Sequence, residues 1–457
     1  MSVERDRALS LLKAFGWNTT SFQLLETGYE YFFDGNDAFV AWRDTGSAAV
    51  AAGAPVAPAE RMAEVAEHFA QYARTLGKRP CFFAAGQRFI DASGWSSLHI
   101  GEQPTWNPAQ WHEVLAKVPS LRSQLRRACA HGVTVRRLQS SELAEGQPVR
   151  QAVDQLIEGW LKSRTMAPMG FLVSVEPYSY CEERIFFVAE KSGQVVAVLS
   201  AVPIYARKGW LFEDLLRERR APNGTAELLF DAGMRAAQKA DARLVTLGLA
   251  PLSGDVPRGL LWVRELSKPL YDFAGVHAFK AKLRPHGWEP IYLATPPGHS
   301  RTVGLYDSLK AFAEGSLVGF GLRTLARGPL FAIWALIVLL AAWVPLLALA
   351  SPQAWFPQMW MHKAWVFFDV MLLGLLVLLA RRYRPWLGVT LASLVTLDAA
   401  VTWAQALGWN AFRVSTGVEV LWLVIACAGP SLAATALWGM VRSRSDVTPS
   451  SPPLEAG

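Results

Sequence analysis

The distribution of hydrophobic and polar residues divides the chain into two parts. Up to about residue 300, short apolar runs either alternate with turn residues or recur at the spacing of one helix face. Beyond Pro329 the apolar runs are long and almost uninterrupted. We therefore predict an α/β (α+β) fold of two lobes, followed by a domain of four transmembrane helices.

The first lobe is predicted over residues 1–140. An amphipathic helix at 4–15 opens it, and apolar runs cut by turn residues predict antiparallel strands across 22–52. A helix from about 58 to 76 and a buried strand at 81–86 follow. Strands with a helix between them indicate an α/β lobe.

The second lobe is predicted over residues 141–298. Its pattern indicates a helix at 153–164, a hairpin with strands at 184–190 and 194–206, and a further strand that ends at Asp214. Both lobes thus place a helix between strands. This similarity suggests an internal duplication, which the residues alone do not establish.

Four apolar segments are each long enough, or nearly so, to cross a hydrocarbon core of ~30 Å at ~1.5 Å per residue. They lie at 330–350, 364–380, 386–408 and 418–440. We assign 329–441 to the membrane domain and 299–328 to a juxtamembrane linker with a mixed helix at 305–328. The composition of 442–457 predicts a disordered tail.

The positive charges near the apolar segments predict their orientation. The segment ends that face one side of the membrane are flanked by Arg323, Arg327, Arg381, Arg382, Arg384, Arg442 and Arg444. The opposite loops contain only Lys363 and Arg413. By the positive-inside rule, both termini and the α/β part lie in the cytoplasm, where anionic lipid of the inner leaflet is accessible.

Two carboxylates, Asp369 and Asp398, fall inside apolar segments. Because a charge is costly there, each is a candidate functional residue, and Asp398 is the stronger candidate since Asp369 is near a segment end. A structural contact between helices explains either residue equally well. The role of the four helices remains open.

Charge and cysteine content narrow the chemistry only a little. The chain has 45 Lys and Arg against 38 Asp and Glu, a net charge of +7, which suits anionic lipid or nucleic acid but equally an ordinary basic surface. The stretch 117–137 is basic, with a solvated face favoured over a phosphate contact. The four Cys residues are scattered, so we predict no metal site, no disulfide framework and no cofactor.

Polar residues at element ends between 210 and 240 are the first candidates for a site. Asp214 ends a strand and Arg217 follows it by three residues, so the two can pair with each other or bind a substrate. The sequence Pro-Asn-Gly-Thr opens a predicted helix at 224–240, with Asn223 as its expected N-cap. Free N–H groups there, including those near Gly224, favour anions.

A second set of candidates lies between 247 and 284. The stretch LGLAPLSG at 247–254 reads as a strand that runs into a loop, with Ser253 as a hydrogen-bonding residue. Lys280, Lys282 and Arg284 alternate, which places them on one side if the stretch is extended. Three cations on one side require either an anion among them or exposure to solvent.

Together these motifs resemble the synthase domain of phosphatidylglycerol lysyltransferases. The resemblance rests on LGLAPLSG, the spaced pattern Y-x-F-x-G-x-x-x-F-K-x-K-x-x-P, the closing WEPIYLA, and the upstream D-x-x-R and PNGT-x-E-L-L-F. The runs GAPVAP, IGEQPTW and GWLKSR fit the same domain, so the resemblance extends over roughly residues 12–296. Any one motif is weak, whereas the combination is specific.

The resemblance implies two tandem acetyltransferase-like (GNAT-like) lobes in a bacterial-type cytoplasmic membrane protein. It implies transfer of an aminoacyl group from aminoacyl-tRNA to an anionic phospholipid such as phosphatidylglycerol, a reaction linked to resistance against cationic antimicrobial peptides. Asp214 and Arg217 would be central to the site. Our own hypothesis for the roles is that Asp214 orients or deprotonates the attacking hydroxyl and that Lys280 holds the lipid or tRNA phosphate. The residues expected to line the site are Asn223, Gly224, Ser253, Lys280, Lys282, Arg284, Tyr271, Trp288 and Tyr292.

Two other functions remain open from the sequence. One keeps the fold but transfers an acyl group from acyl-CoA to a small amine. The absence of a clear Q/R-x-x-G-x-G/A pyrophosphate loop counts against it. The other is a non-enzymatic lipid or amino-acid sensor coupled to the membrane helices. The retained Asp214, Arg217, Lys280 and Lys282 favour an enzyme over a sensor.

Overall fold

The structure is a computed structural model that describes residues 3–164, 166–267, 271–327, 329–349, 355–381, 384–414 and 417–445. The chain divides into two compact units, Met1–Phe320 and Gly321–Gly457. The first is built around one mixed β-sheet, and the second consists of apolar helices. Residues 446–457 of the predicted disordered tail lie outside the described residues.

The sheet of the first unit has twelve strands in the described residues. They are β1 (Glu30–Asp34), β2 (Ala38–Asp44), β3 (Ala48–Ala52), β4 (Arg79–Gly86), β5 (Ser96–Trp106), β6 (Val133–Leu138), β7 (Ile185–Lys191), β8 (Gln194–Ile204), β9 (Gly209–Arg217), β10 (Leu244–Thr246), β11 (Ala250–Pro251) and β12 (Gly287–Thr295). Their order is β1-β2-β3-β4-β12-β5-β10-β9-β8-β7-β6, and β11 pairs with β5. The last strand therefore lies between β4 and β5 and joins both halves of the sheet.

The helices connect and cover these strands. Those of the first part are α1 (Val3–Phe15), α2 (Met62–Thr75), α3 (Gln87–Ser93), α4 (Trp111–Lys117), α5 (Pro119–Ala130), α6 (Pro148–Lys162), α7 (Thr225–Lys239), α8 (Arg258–Ser267), α9 (Phe273–Lys282), α10 (Arg301–Phe312) and α11 (Leu317–Arg327). The apolar helices are α12 (Pro329–Leu349), α13 (Met359–Arg381), α14 (Pro385–Gln405) and α15 (Gly417–Ser445).

The same strand connectivity occurs twice in the sheet. Strands β1, β2 and β3 pair antiparallel, helix α2 follows, and β4 then pairs parallel to β3. Strands β7, β8 and β9 pair antiparallel, helix α7 follows, and β10 pairs parallel to β9. A parallel pair needs a crossover connection, which each helix supplies. The sheet thus contains this connectivity twice, and the duplication itself stays a prediction.

Each crossover helix buries one apolar face against its strands. The Phe69 ring of α2 lies 5.5 Å from the ring of Phe82 on β4, and the Phe230 ring of α7 lies 5.5 Å from that of Phe212 on β9. Phe69 and Phe230 are fully buried. Because aromatic side chains bury large apolar areas, these contacts hold the two helices on the sheet.

Most predicted elements of the first unit are confirmed, with shifted ends. The helices predicted at 4–15 and 153–164, the strand at 81–86 and the hairpin strands are present as α1, α6, β4, β7 and β8. In the segment 22–52 the first strand begins only at Glu30, because Phe22–Leu25 forms a 3-10 turn. The linker helix predicted at 305–328 is two helices, since Glu314 and Gly315 adopt positive φ angles of 56° and 90°.

The stretch around Lys280 is helical, so the condition under which its cations would share one side is not met. These residues belong to α9, which starts where the Asp272 carboxylate accepts a 2.9 Å hydrogen bond from the Gly275 N–H. That cap commits the chain to a helix. On a helix, residues two apart point to nearly opposite sides, so Lys280 and Lys282 do not share a face.

Three helices of the second unit are long and apolar enough to cross a membrane. They are Met359–Arg381, Pro385–Asn410 and Glu419–Val441, and they match three of the four predicted segments. The remaining predicted segment also forms a helix, α12, with an apolar stretch at Ile333–Leu349. Three such helices indicate a membrane protein, and the fourth span stays a prediction.

Asp369 on α13 and Asp398 on α14 are both buried within the second unit. The Trp343 side chain hydrogen-bonds to Asp369, and Thr402 hydrogen-bonds to Asp398. In both contacts the partner of the carboxylate is a side chain of one of the apolar helices, Trp343 of α12 or Thr402 of α14. They fit the structural explanation of these residues, and neither contact addresses transport.

Candidate active site

Asp214 is a buried carboxylate near the end of β9. It lies beside a β-bulge, where Ser200 pairs with Asp214 but the next residue of β8, Ala201, pairs with Phe212. The side chain is 7% exposed and its Oδ2 has no hydrogen-bond partner among the described residues. Burial, reinforced by the nearby Glu213 and opposed by Arg184, raises the pKa of Asp214 to about 8.

Arg184 organises the charges around Asp214. Its guanidinium forms a buried ion pair with Glu213, and it donates hydrogen bonds to the Ser179 carbonyl at 2.8 Å and to the Ser200 hydroxyl at 3.4 Å. One cation thus faces two neighbouring carboxylates. The bulge in β9 explains how both consecutive acidic side chains come near the same arginine, since it interrupts the regular alternation of the strand.

Glu26 adds a third carboxylate that the sequence analysis missed. It follows the 3-10 turn Phe22–Leu25 and is 1% exposed, and neither carboxylate oxygen has a hydrogen-bond partner among the described residues. Burial first, and then the charge of Glu213, raises the pKa of Glu26 to about 10. In the sequence, Glu26 is a single acidic residue between the apolar pair Leu24-Leu25 and the turn at Thr27-Gly28, and this position is the signal that could have identified it.

Arg217 does not form an ion pair with Asp214 in the part of the chain that the structure describes. Its side chain is exposed and donates a 3.3 Å hydrogen bond to the carbonyl of Ala221. Arg164 is its electrostatic neighbour and also that of Tyr271, and burial lowers the pKa of Arg164. The end of β9 therefore has a buried acid on one side and an exposed basic group on the other.

The start of α7 differs from the prediction. The residue before the helix is Gly224, with a positive φ of 94°, and no side chain caps the end. Asn223 is exposed, so the predicted N-cap is wrong. The reason is packing: a Cβ on Gly224 would lie 2.1 Å from the Gln124 carbonyl oxygen of α5, so only glycine fits where the two helices meet.

Lys280 has a different role from the predicted phosphate ligand. Its Nζ donates to the carbonyls of Leu247, Gly248 and Leu249 at 2.8, 2.9 and 2.8 Å. An ammonium has three hydrogens, so none remains for a phosphate. Burial lowers the pKa of Lys280 to about 7. Lys280 therefore holds the loop between β10 and β11, which lies next to the end of β9.

The neighbouring candidates are also engaged within the protein. Lys282 pairs with Glu227 of α7, and Arg284 is exposed with a φ of 53°. The Ser253 hydroxyl donates to the Ala250 carbonyl at 2.7 Å and accepts from the Glu102 N–H at 3.3 Å. Lys282 and Ser253 thus fix α9 and β11 to their neighbours.

The three predicted aromatic residues lie in separate places. The Tyr271 ring packs against Phe273 at 4.6 Å, and the Trp288 ring stacks on His277 at 4.7 Å. The Tyr292 hydroxyl donates to the side-chain amide oxygen Oε1 of Gln87 at 2.6 Å. Of the three, only Tyr271 lies beside another predicted site residue, through the basic group of Arg164 and Arg217.

A cavity of about 410 Å³ lies between α6 and the segment 175–179. Its walls include the carboxylates of Asp154, Glu158 and Glu176. A second cavity, of about 270 Å³, is bounded by residues such as Trp17, Arg88 and Glu289. Neither cavity has a predicted site residue in its wall. The predicted residues form separate groups and do not line either of these cavities.

Comparison with models of protein families matches residues 9–295 to the family described as phosphatidylglycerol lysyltransferase, C-terminal. Among solved structures, the chain is similar to the C-terminal domain of a putative lysylphosphatidylglycerol synthetase from Agrobacterium fabrum, with a TM-score of 0.59, 22% identity, and coverage of 69% of this chain and 98% of that one. It is also similar to L-PGS from Bacillus licheniformis, with a TM-score of 0.58, 20% identity, and coverage of 67% and 96%. At these identities the two structures establish a shared mixed α/β fold. A search of curated proteins gives no match.

Proposed function

Because the chain belongs to the family of phosphatidylglycerol lysyltransferase C-terminal domains, we propose that it transfers an aminoacyl group from aminoacyl-tRNA to a hydroxyl of a phospholipid such as phosphatidylglycerol. Membership places the chain among transferases of lipid aminoacylation. The donor, the acceptor and the residue roles below are proposed. The observation that supports them best is the buried Asp214 carboxyl, with one unpartnered oxygen and a pKa raised to about 8.

Asp214 acts as the proton acceptor in this proposal. The lipid hydroxyl oxygen attacks the ester carbonyl carbon of the aminoacyl-tRNA, and its proton passes to Asp214. The new lipid ester bond forms as the ester bond to the terminal ribose breaks, and the proton is then returned to the ribose oxygen. A group with a pKa near ambient pH serves both transfers well, because it can gain and lose the proton at similar cost.

The basic residues after β9 are proposed to contact the phosphates of the donor. Arg217, Arg219 and Arg220 are exposed in the loop that leads to α7, and Arg164 lies near Arg217. Several exposed guanidinium groups in one loop attract a phosphate backbone and favour bidentate contacts with it. Lys280 acts indirectly, by holding the loop at Leu247–Leu249 in place.

The domain assignment supports the same function and is likewise a proposal. We assign residues 1–140 and 141–298 to two GNAT-like lobes, on the basis of the connectivity that occurs twice in the sheet. Residues 299–328 form the linker to a multi-pass domain in a cytoplasmic membrane. By the positive-inside rule, the arginines next to the apolar segments indicate that both termini lie in the cytoplasm, on the same side as the proposed aminoacyl-tRNA donor. Aminoacylation of anionic lipid would make the surface less negative and so reduce binding of cationic antimicrobial peptides.

The test uses the full chain in detergent micelles, with charged tRNA and vesicles that contain phosphatidylglycerol. We expect a labelled aminoacyl lipid with the wild-type chain and at least ~100-fold less with Asp214→Asn, the loss expected when general-base catalysis is removed. Asp241→Asn is the matched control, because Asp241 is an exposed aspartate in the turn after α7. No lipid product with any charged tRNA, or an active Asp214→Asn chain, would contradict the proposal.

A further inference from the structure

Helix α10 is a fixed part of the first unit, although the family match ends at residue 295. The Arg79 guanidinium of β4 donates hydrogen bonds of 2.9 and 2.7 Å to the two carboxylate oxygens of Asp307, which is 1% exposed. A Cβ on Gly304 would lie 2.7 Å from the Thr295 side chain, so the helix is in close contact with β12. These contacts mean that α10 and the sheet move together.

Helix α10 and the crossover helix α2 cover opposite faces of the sheet. A Cβ on Gly304 would lie 3.8 Å from the Cβ of Cys81 on β4, whereas the Phe69 ring of α2 packs against Phe82, the next residue of that strand. Consecutive residues of a strand point to opposite faces. The outer sides of α10 and α2 therefore lie on opposite sides of the sheet, so a flat surface that covers one of them leaves the other free.

Three large apolar side chains lie exposed on the outer side of α10. Val303 is 40% exposed, Tyr306 51% and Leu309 48%. Because helical residues three apart are neighbours on the helix surface, the three side chains form one continuous stripe, which we call the α10 stripe. The one acidic residue of α10, Asp307, is buried against Arg79. No carboxylate of the helix therefore lies beside the apolar side chains.

Cations lie at both ends of the α10 stripe. Arg301 is exposed and donates a 3.0 Å hydrogen bond to the Ser97 carbonyl, and the half-buried Lys310 has its Nζ 3.4 Å from the Ser47 hydroxyl. A guanidinium has five N–H donors and an ammonium three, so one such bond does not exhaust either cation. Exposed apolar residues with basic neighbours and no exposed acid are typical of a helix that lies in the headgroup region of a bilayer with anionic lipid.

The chain leads from α10 to the membrane segments over a short path. Residues 313–316 separate α10 from α11, and residue 328 alone separates α11 from α12. At no more than ~3.5 Å per extended residue and ~1.5 Å per helical residue, this path cannot exceed about 40 Å. Helix α11 itself contains Arg323 and no acidic residue, and its Val318 is 76% exposed. A lipid surface is therefore within reach of the α10 stripe.

We propose that the α10 stripe lies on the bilayer surface, with its apolar side chains at the boundary between headgroups and acyl chains and with Arg301 and Lys310 at the phosphates of anionic lipid. This contact holds the whole first unit in one orientation to the bilayer, because α10 is fixed to the sheet. A second copy of the chain is a poorer partner, since three half-exposed side chains offer well under the roughly 800 Å² per partner that a stable protein interface buries. Such docking goes beyond the proposed function and does not depend on it.

Photo-crosslinking of the full chain in vesicles tests the contact. Tyr306 is replaced by the photoreactive p-benzoylphenylalanine, the chain is reconstituted into vesicles of phosphatidylcholine with or without phosphatidylglycerol, and lipid adducts are quantified by mass spectrometry after irradiation. Leu309 is a second position for the same probe. Gln71 is the matched control, because it is an exposed residue of α2, on the opposite face of the sheet. The readout requires no tRNA and no turnover, so it is separate from the test of aminoacyl transfer.

We expect at least fivefold more lipid adduct at position 306 than at position 71 in vesicles with phosphatidylglycerol, and the same excess at position 309. Omission of phosphatidylglycerol should lower the adduct at position 306 at least twofold, since the two cations lose their partners. Equal adduct at 306 and 71, or crosslinks from 306 to a second copy of the chain or to another part of the same chain in place of lipid, would overturn the docking. Equal adduct at 306 with and without phosphatidylglycerol would overturn the assignment to anionic lipid. If the chain with the probe at 306 fails to fold, the comparison of 309 with 71 decides.

Discussion

At the residue scale, the most informative side chains of this protein are buried charges. Asp214, Glu26 and Lys280 are each less than a tenth exposed, yet they are satisfied very differently. Lys280 donates all three of its hydrogens to carbonyls, whereas the Glu26 carboxylate oxygens have no hydrogen-bond partner in the part of the chain that the structure describes. The two residues therefore differ in kind: Lys280 has a structural role through its hydrogen bonds, whereas burial without a partner favours the uncharged form of Glu26.

Glu26 should make the stability of the protein fall as the pH rises. Its pKa is raised from 4.5 to about 10 in the folded chain, so folding favours the protonated form. That contribution is complete below about pH 4.5 and is lost progressively as the pH rises toward 10. We therefore expect the unfolding temperature of Glu26→Gln, relative to wild type, to increase between pH 5 and pH 9.

Thermal unfolding of the full chain in detergent at several pH values checks this expectation. Glu60→Gln serves as the control, because Glu60 is an exposed glutamate, and its difference from wild type should stay constant across the range. A difference for Glu26→Gln that did not change with pH would show that Glu26 titrates normally in the folded protein.

Lys280→Met should destabilise the first unit. The substitution removes one buried ammonium and leaves three carbonyls of the loop at Leu247–Leu249 without donors. At roughly 1 kcal/mol or more for each unsatisfied carbonyl, we expect a loss of about 3 kcal/mol. Lys239→Met, at the exposed end of α7, should cost less than about 0.5 kcal/mol.

Unfolding by denaturant measures both lysine variants. A Lys280→Met chain as stable as Lys239→Met would mean that the loop does not depend on the ammonium. Lipid aminoacylation is expected to fall with Lys280→Met in parallel with stability, because the residue acts through the loop and touches no substrate.

At the element scale, β9 and the elements around its end position the site. The bulge at Ser200 brings Glu213 and Asp214 to the same arginine. Helix α7 then starts at Thr225 under α5, and α9 holds the loop after β10. The site therefore lies near the end of the parallel strand pair β9 and β10, before the chain enters the crossover helix α7.

Gly224→Ala should separate α5 from α7. The backbone at this position has a φ of 94°, and a Cβ would lie 2.1 Å from the Gln124 carbonyl oxygen. Left-handed backbone costs about 1–2 kcal/mol for alanine and overpacking typically costs a further 1–3 kcal/mol, so we expect a loss of about 3 kcal/mol.

Gly132→Ala separates the two causes of that loss. Gly132 has a φ of 78° but nothing within 4 Å of a Cβ, so only the backbone term of about 1–2 kcal/mol applies. Equal losses for the two variants, measured by denaturant unfolding, would mean that contact between α5 and α7 is not what requires glycine at position 224.

At the scale of the whole molecule, the chain joins a transferase-family domain to a membrane unit. The family match covers residues 9–295, and the apolar helices lie beyond it. How many of them cross the membrane decides on which side the chain ends. Four spans return residue 457 to the side of the α/β part, whereas three place it on the opposite side.

A reporter protein that is active only in the cytoplasm, fused after residue 457, tests the number of spans. Because α12 is apolar over Ile333–Leu349 and arginines flank the segments on one side, we expect four spans and an active fusion. A second fusion in the short loop near Lys363 should be inactive. An inactive fusion at 457 together with an active one near Lys363 is the result expected for three spans without α12, and also for four spans in the inverted orientation, so it would contradict the proposed topology. Two inactive fusions would contradict four spans as well.

The sequence by itself determined the elements, the membrane segments and the family. Helix periodicity, turn residues and apolar length are local properties, so α1, the hairpin β7–β8 and three apolar helices could be predicted from neighbouring residues. The family could be recognised from the combined motifs, and the match to residues 9–295 confirms it. Asp214 was identified because it ends a strand within such a motif.

Only the tertiary structure decided which side chains meet. Glu26 reaches Glu213 and Arg184 because the sheet brings distant parts of the chain together, and no local pattern records that contact. Lys280 looked like an anion ligand until α9 placed its ammonium among three carbonyls. Burial and hydrogen bonding depend on every element packed around a residue, and the charge chemistry of the site depends on both.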